Sequence, residues 1–370
     1  MSATRRSPYP RSPAVTRRRP APTPRRIAVV GAGLAGLACA RTLLRAGHDV
    51  AVFETAPQPG GRMAAQDSPF GSFDSGAQYF TVRDPRFARA LEITAPGLAR
   101  RWSANAVRVL DERGRVIEAA LPTREAHWVA TPTMAALPRH WAEPLRAAGR
   151  LHLDTHVLRL ARDTLDGTRW QLHAEGGADD HAVHAGFDQV LLALPAPILR
   201  HMLSISEQTE PLAEALAGVD IAPCWTLMLA FPHAAQPGLH TLGPQWNAAR
   251  STHHRIAWLA RESSKPRRGP IERWTAQASA AWSREHENDD TPRATAKLLK
   301  AFAEVTGIRA TPAHAEALLW RQAKTLQPLG RPFVWDAALG VGLCGDWCLG
   351  HRVEDAFVSG LELALTVAAR

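Results

Sequence analysis

Short apolar runs and amphipathic stretches alternate along this chain, and the clearest succession comes early. Ile27 to Val30 is a β-branched run that predicts a strand, Leu34 to Ala46 predicts a helix closed by Gly47, and Asp49 to Phe53 predicts a second strand. Pro85 to Leu98 has helical spacing, and Val107 to Ile117 suits a hairpin around Gly114. Residues 151–194 alternate as short strands with Asp166-Gly167 as a hairpin turn, and Asp188 to Leu194 reads as a buried strand ended by Pro195. Antiparallel strands follow at Trp225 to Phe231, Ile256 to Ala260 and Trp274 to Ser279, then a helix from Ala294 to Val305. Gly340 to Asp346 is a short apolar strand running into Gly-Asp, and Val353 to Gly360 begins a helix. No internal repeat is visible, and the class expected is α/β.

The first strand, turn, helix and strand carry glycines with a chemical purpose. Gly31 allows the tight turn, Gly33 lets the backbone approach a pyrophosphate, and Gly36 lets the helix pack close to the strand, with Ala32 inside the same loop. The helix N-terminus then presents free N–H groups and a positive dipole end to phosphate. Glu54 follows 18 residues after Gly36, where a carboxylate accepts hydrogen bonds from a ribose diol. A glycine pattern alone is weak evidence. The flanking strands and the spaced acid make a dinucleotide the expectation.

Gly60-Gly61-Arg62-Met63 favours FAD over NAD. An extended flavin dinucleotide needs close backbone and a phosphate-facing arginine after the acidic strand, although alone this segment reads equally as a surface turn. The C-terminal strand adds Gly345 and Asp346, the latter suited to ribityl hydroxyls. The helix beginning at Val353 would aim its positive end at the flavin, where charge develops on reduction. Glu354 and Asp355 suit that helix end structurally as well.

These segments, with Phe73-Asp-Ser-Gly-Ala-Gln-Tyr-Phe-Thr81, Ala260-Arg-Glu-Ser-Ser-Lys-Pro266, Ala281-Trp-Ser-Arg-Glu-His286 and Leu343-Cys-Gly-Asp-Trp-Cys-Leu349, resemble bacterial renalase-like flavoproteins of the flavin amine oxidase superfamily, in order from about Arg26 onward. The resemblance implies a Rossmann-type FAD-binding domain with an interleaved α+β substrate domain, of the p-hydroxybenzoate hydroxylase and amine oxidase type. It also implies non-covalent FAD, Val157 beside the adenine, and two-electron oxidation of a small reduced substrate with oxygen as acceptor. Characterised renalases oxidise isomeric dihydronicotinamide dinucleotides. His351, Asp355 and Thr133 depart from the residues expected around the pocket. The division expected is 26–80, 127–198 and 336–370 for the FAD-binding domain, and 81–126 with 199–335 for the substrate domain.

Composition changes the picture mainly at the start. At 370 residues the chain is long enough for two domains. Arg5, Arg6, Arg11, Arg17, Arg18, Arg19, Arg25 and Arg26 precede any acid, so the formal charge of +9 falls to +1 without them. Residues 1–25 therefore read as a disordered basic tail, a solvated extension or an over-long gene start, dispensable for flavin binding. Nucleic acid is an unexpected partner, reachable only through that tail. Neither an apolar signal region nor a run of about 18 apolar residues occurs, so no membrane partner and a cytoplasmic location are expected. Cys39, Cys224, Cys344 and Cys348 lack disulfide or zinc spacing; Cys344 and Cys348 read as a redox pair or, better, as packed thiols. His173, His181 and His184 are placed in a polar loop and His253-His254 lacks a partner at ligand spacing, so no metal is assigned.

Gln78 and Tyr79 are the candidate residues bordering the substrate, with interdomain packing as their competing role. Twelve tryptophans against two tyrosines suggest an aromatic wall drawn from Trp225, Trp246, Trp258, Trp274, Trp282 and Trp320, one or two of them lining the pocket. Lys265, Arg267 and Arg268 stand in a turn-rich polar stretch, where solvent or substrate phosphate is the expected neighbour. The leading expectation is hydride transfer from a small reduced substrate, with a dihydronicotinamide isomer as a candidate, to flavin N5. An amine oxidase or desaturase is the enzymatic alternative. A flavin redox sensor tethered by the basic tail is the non-catalytic one.

Overall fold

The computed structural model describes residues 23–102, 107–119, 125–176, 179–235, 244 and 246–369. The expected tail, up to residue 22, lies outside them.

A six-stranded sheet is built in the order Val334–Asp336, Val341–Leu343, Gln189–Leu192, Arg26–Val30, Asp49–Phe53 and Leu151–His152. It is parallel except where Val334–Asp336 runs against Val341–Leu343. The early glycine unit and the late Gly-Asp strand, more than 300 residues apart in sequence, thus lie two strands from each other. Strand alternation explains the two cores. Ile27, Val29, Val50 and Val52 face the first helix, Leu34–Arg45, and the C-terminal helix, Val353–Ala368, while Ala28, Val30, Ala51 and Phe53 face a three-stranded meander and the helix Ala196–Ser204. The two helices approach so closely that a Cβ on Gly360 would stand 2.0 Å from the Ala35 carbonyl oxygen.

A seven-stranded sheet follows the order His314–Gln327, Asp220–Phe231, Glu272–Ala278, Ile256–Arg261, Ala248–Ser251, Val107–Leu110 and Val116–Ala119. Leu227, Leu229, Trp274, Ala276 and Leu259 turn one face toward the amphipathic helix Thr291–Thr306, which starts on an Asp290 cap and ends at left-handed Gly307. The other face carries Trp258, Thr275, Gln277 and Met228. It lies against Phe73–Tyr79, where Gln277 and Trp320 donate to the backbone of Gly76 and Ser75.

His173, His181 and His184 lie on the strands Trp170–Gly176 and Asp179–Phe187, not in a polar loop, and the His184 ring meets Phe53 at 4.8 Å. The helix from Pro85 stops at Thr94, short of Leu98. The helix Ala136–Ala147 and the strand His314–Gln327 were not anticipated: prolines interrupt the first, and mixed exposure hides the period of the second.

Candidate active site

Backbone geometry makes the first half of the site. Gly31 has φ of 102°, and a Cβ there would fall 2.6 Å from the Ala193 carbonyl oxygen. A Cβ on Gly36 would fall 1.9 Å from the Gly31 oxygen, so the first turn of the helix seats directly on the loop. Gly33 is different: nothing lies within 4 Å of where its Cβ would be. No side chain caps this helix start, and no acid stands in its first turn. The free N–H groups, the uncompensated dipole and the open approach at Gly33 fit a pyrophosphate. Glu54 steadies the loop, accepting the Ala32 amide at 2.7 Å and the Ala56 amide at 3.0 Å. Its two carboxylate oxygens retain further acceptor capacity for a ribose.

The second half is held by charge. The Gly60 amide donates to Ala32 at 3.0 Å, and a Cβ on Gly61 would be 3.4 Å from the Gly33 Cα, so this segment covers the loop. Met63 is buried in the core behind it. Arg62 makes a bidentate pair with Asp346, at 2.9 and 2.5 Å, and donates to the Ala323 carbonyl at 3.2 Å. Arg62, expected to face phosphate, and Asp346, expected to face the ribityl chain, are joined to each other. Gly345 is fixed by the hydrogen bond its N–H donates to Ser359 Oγ at 2.9 Å. Val353 opens the C-terminal helix, where Asp355 accepts the Arg352 amide at 2.9 Å. Glu354 instead accepts the Arg83 and Asp84 amides, at 2.6 and 2.5 Å, and so ties this helix to the next segment. Val157 is buried beside the same sheet, and the ladder is irregular between it and Arg159.

These features fit FAD, whose phosphates, ribose and ribityl would meet Gly33, Glu54 and the Arg62–Asp346 pair respectively.

Behind this second segment lies an ionic cluster. Asp74 Oδ2 is 2.9 Å from Lys265 Nζ and 2.6 Å from Arg268, its Oδ1 accepts the Met134 amide at 2.8 Å, and Lys265 reaches Glu262 at 2.7 Å. Gln78 is buried in the same cluster, accepting from Lys265 at 3.2 Å and donating to the Asp74 and Gly76 carbonyls. Burial pushes the Asp74 carboxyl up, but Lys265, Arg268 and the Met134 amide together hold it below the ordinary range. Burial raises Glu262 despite Lys265, and the Asp74 charge adds to the rise. The expectation that Lys265 and Arg268 meet solvent or substrate phosphate is therefore wrong. Both side chains are at most 2% exposed and already paired, while Arg267 is exposed.

Tyr79 is half-buried, its ring 4.0 Å from His127 and 5.5 Å from Trp258. Trp225, Trp274 and Trp282 belong to the opposite core and Trp246 packs edge-on to Trp274, so Trp258 and Trp320 are what the six-tryptophan wall leaves on this face. His127, Glu262 and Asp74 escaped sequence reading as a site. Only the Glu262–Lys265 spacing hinted at a pair, and nothing in spacing joined it to Asp74. Cys344 lies against Cys39 rather than pairing with Cys348, and all three thiols are free and buried. Among the described residues no group of three His, Cys, Asp or Glu could hold a metal. No helix among them is long and apolar enough to cross a membrane.

Residues 29–93 match the profile of an NAD(P)-binding Rossmann-like domain, and residues 117–368 match that of flavin containing amine oxidoreductases. A hydroxyneurosporene desaturase from Cereibacter sphaeroides is 44% identical over 59 residues, and a 4,4'-diapophytoene desaturase from Staphylococcus haemolyticus is 47% identical over 58. Each match spans 16% of this chain and only 12% of the relative. A candidate protoporphyrinogen oxidase from Exiguobacterium sp. 255-15 superposes with TM-score 0.71 at 13% identity, covering 93% of this chain and 99% of that one. A redesigned putrescine oxidase superposes with TM-score 0.69 at 12% identity, covering 94% and 99%. These structural likenesses concern the fold.

Proposed function

Since the chain belongs to the family of flavin-containing amine oxidoreductases, we propose that it is a cytoplasmic, renalase-like, FAD-dependent oxidase. It removes two electrons from a small reduced ring, of which a dihydronicotinamide isomer is the type, with oxygen as acceptor. The observation that carries the reading is the Arg62–Asp346 pair, which locks the glycine-loop segment to the Gly345–Asp346 turn and so supports one extended cofactor spanning both. When bound, the flavin supplies the two-electron acceptor. The chain's own part is position and field. The C-terminal helix turns its N-terminal end toward the Asp346 turn, and Gln78 anchors Tyr79 through the buried cluster. Tyr79, His127 and Trp258 present ring faces to substrate.

An amine oxidase remains the second reading, favoured by one correction: with Lys265 and Arg268 buried, two of the three phosphate contacts that argued for a dinucleotide substrate are withdrawn, and Arg267 alone stays exposed. Anaerobic mixing of the purified protein with dihydronicotinamide isomers, amines and nicotinamide dinucleotides decides between them. Bleaching by a dihydronicotinamide and not by amines is expected; bleaching by amines alone overturns the reading. Tyr79→Phe is expected to change turnover several-fold with FAD content intact, and unchanged kinetics would remove Tyr79 from the site.

A further inference from the structure

The indole N–H of Trp258 is buried and has no hydrogen-bond partner. Trp102, Trp170, Trp225, Trp274, Trp320 and Trp347 all place theirs on an oxygen. Trp141 and Trp335 share the deficit, but Trp141 is sealed in the core under Arg41 and Trp335 sits on the edge strand of the other sheet. Trp258 stands elsewhere. It pairs across strands with Gln277, whose side chain donates to the Gly76 carbonyl at 2.8 Å. Gly76 lies so close to Arg62 that a Cβ would be 2.0 Å from the Arg62 oxygen. The unpartnered donor is therefore on the sheet face turned toward the cofactor-holding segments. Beside it, the Tyr79 ring packs on His127 at 4.0 Å, tilted by 31°, and lies 5.5 Å from Trp258, tilted by 35°.

Resting on the reading that this face borders the substrate, we propose that Trp258 is a specificity-determining donor. It selects planar rings that bear a carbonyl or carboxamide acceptor, with Tyr79 and His127 as the stacking surface. A buried donor left unpaired is costly, so a ligand acceptor that satisfies it gains affinity that a bare ring does not. An aliphatic ammonium has donors only and offers this N–H nothing. The surrounding charge agrees. Burial first, then Arg250, holds the His127 imidazole below its ordinary value and hence neutral at pH 7. The opposing carboxylate, Glu125, is already engaged by Arg83.

The test uses the FAD-loaded protein and three probes: nicotinamide, which has ring and carboxamide, pyridine, which has the ring alone, and putrescine. Each is titrated into the oxidised enzyme and read by perturbation of the flavin absorption. Nicotinamide is expected to bind about 5- to 10-fold tighter than pyridine, the scale of one hydrogen bond. Trp258→Phe, with FAD content unchanged, is expected to reduce that ratio to near one. A ratio that survives in Trp258→Phe, or putrescine binding as tightly as nicotinamide, overturns the proposal. If the variant does not fold, the wild-type ratio decides alone, since a value near one also overturns it. Failure of dihydronicotinamides to bleach the wild-type flavin while the ratio persists sinks the proposed reaction and leaves this inference standing.

Discussion

The glycine loop and the ring-bearing sheet face meet at Arg62, yet they are made by opposite means. Around Gly31, Gly33 and Gly36 the absence of side chains does the work: backbone packs on backbone, and one position, Gly33, stays open. Around Asp74, Lys265 and Trp258 the side chains do everything, with charges and rings from three segments, at residues 74–79, 127 and 258–268, gathered in one place. A cofactor common to many enzymes can be held by main chain, which any sequence with the right glycines supplies. A substrate has to be distinguished from its competitors, and that takes side chains.

The comparison breaks most easily at the ionic cluster. Asp74→Asn leaves Lys265 and Arg268 underpaired in a buried setting, and a loss of about 3–5 kcal/mol in urea unfolding is expected; a loss under about 1 kcal/mol would mean the cluster is wetter than its burial indicates. The two glycines sharpen the other side. Gly36→Ala drives a methyl into the Gly31 carbonyl and should cost about 1–3 kcal/mol along with the flavin. Gly33→Ala meets no protein atom, so stability should change by less than about 1 kcal/mol while flavin content falls sharply. Equal effects of the two on stability would erase the distinction between a packing glycine and a ligand-facing one.

Acid is the mildest probe, and it touches both regions. His152 and His184, beside Phe53, and His127, beside Tyr79, are all held below the ordinary histidine value, by burial first and by neighbouring positive charge second. In the window between those lowered values and about 6.5, the unfolded chain binds more protons than the folded one, so stability rises with pH there. Melting temperature is expected to fall as pH is taken from 7 to 5, by a few degrees; a rise would reverse the sign assigned to these groups.

The nucleotide half was legible because its information is local. Strand, glycine spacing and the acid at Glu54 sit within 29 residues, and each follows from a backbone requirement that spacing reports. The C-terminal Gly345–Asp346 turn could be read for the same reason. Its bond to Arg62 could not, because that contact depends on which strands become neighbours. Lys265 shows the limit best: flanked by serines, proline and arginines it looks solvated, and only the return of Asp74 from 191 residues away makes it the centre of a dry cluster. Trp258 looked like one of six equivalent tryptophans until the sheet decided which face each occupies.

The central claim, that one extended flavin dinucleotide is gripped by Gly33 and by the Arg62–Asp346 turn, is tested most directly by the absorption spectrum of the purified protein before and after denaturation. Yellow protein that releases an equimolar amount of FAD into the supernatant is expected. Colourless protein that takes up no added FAD would contradict it.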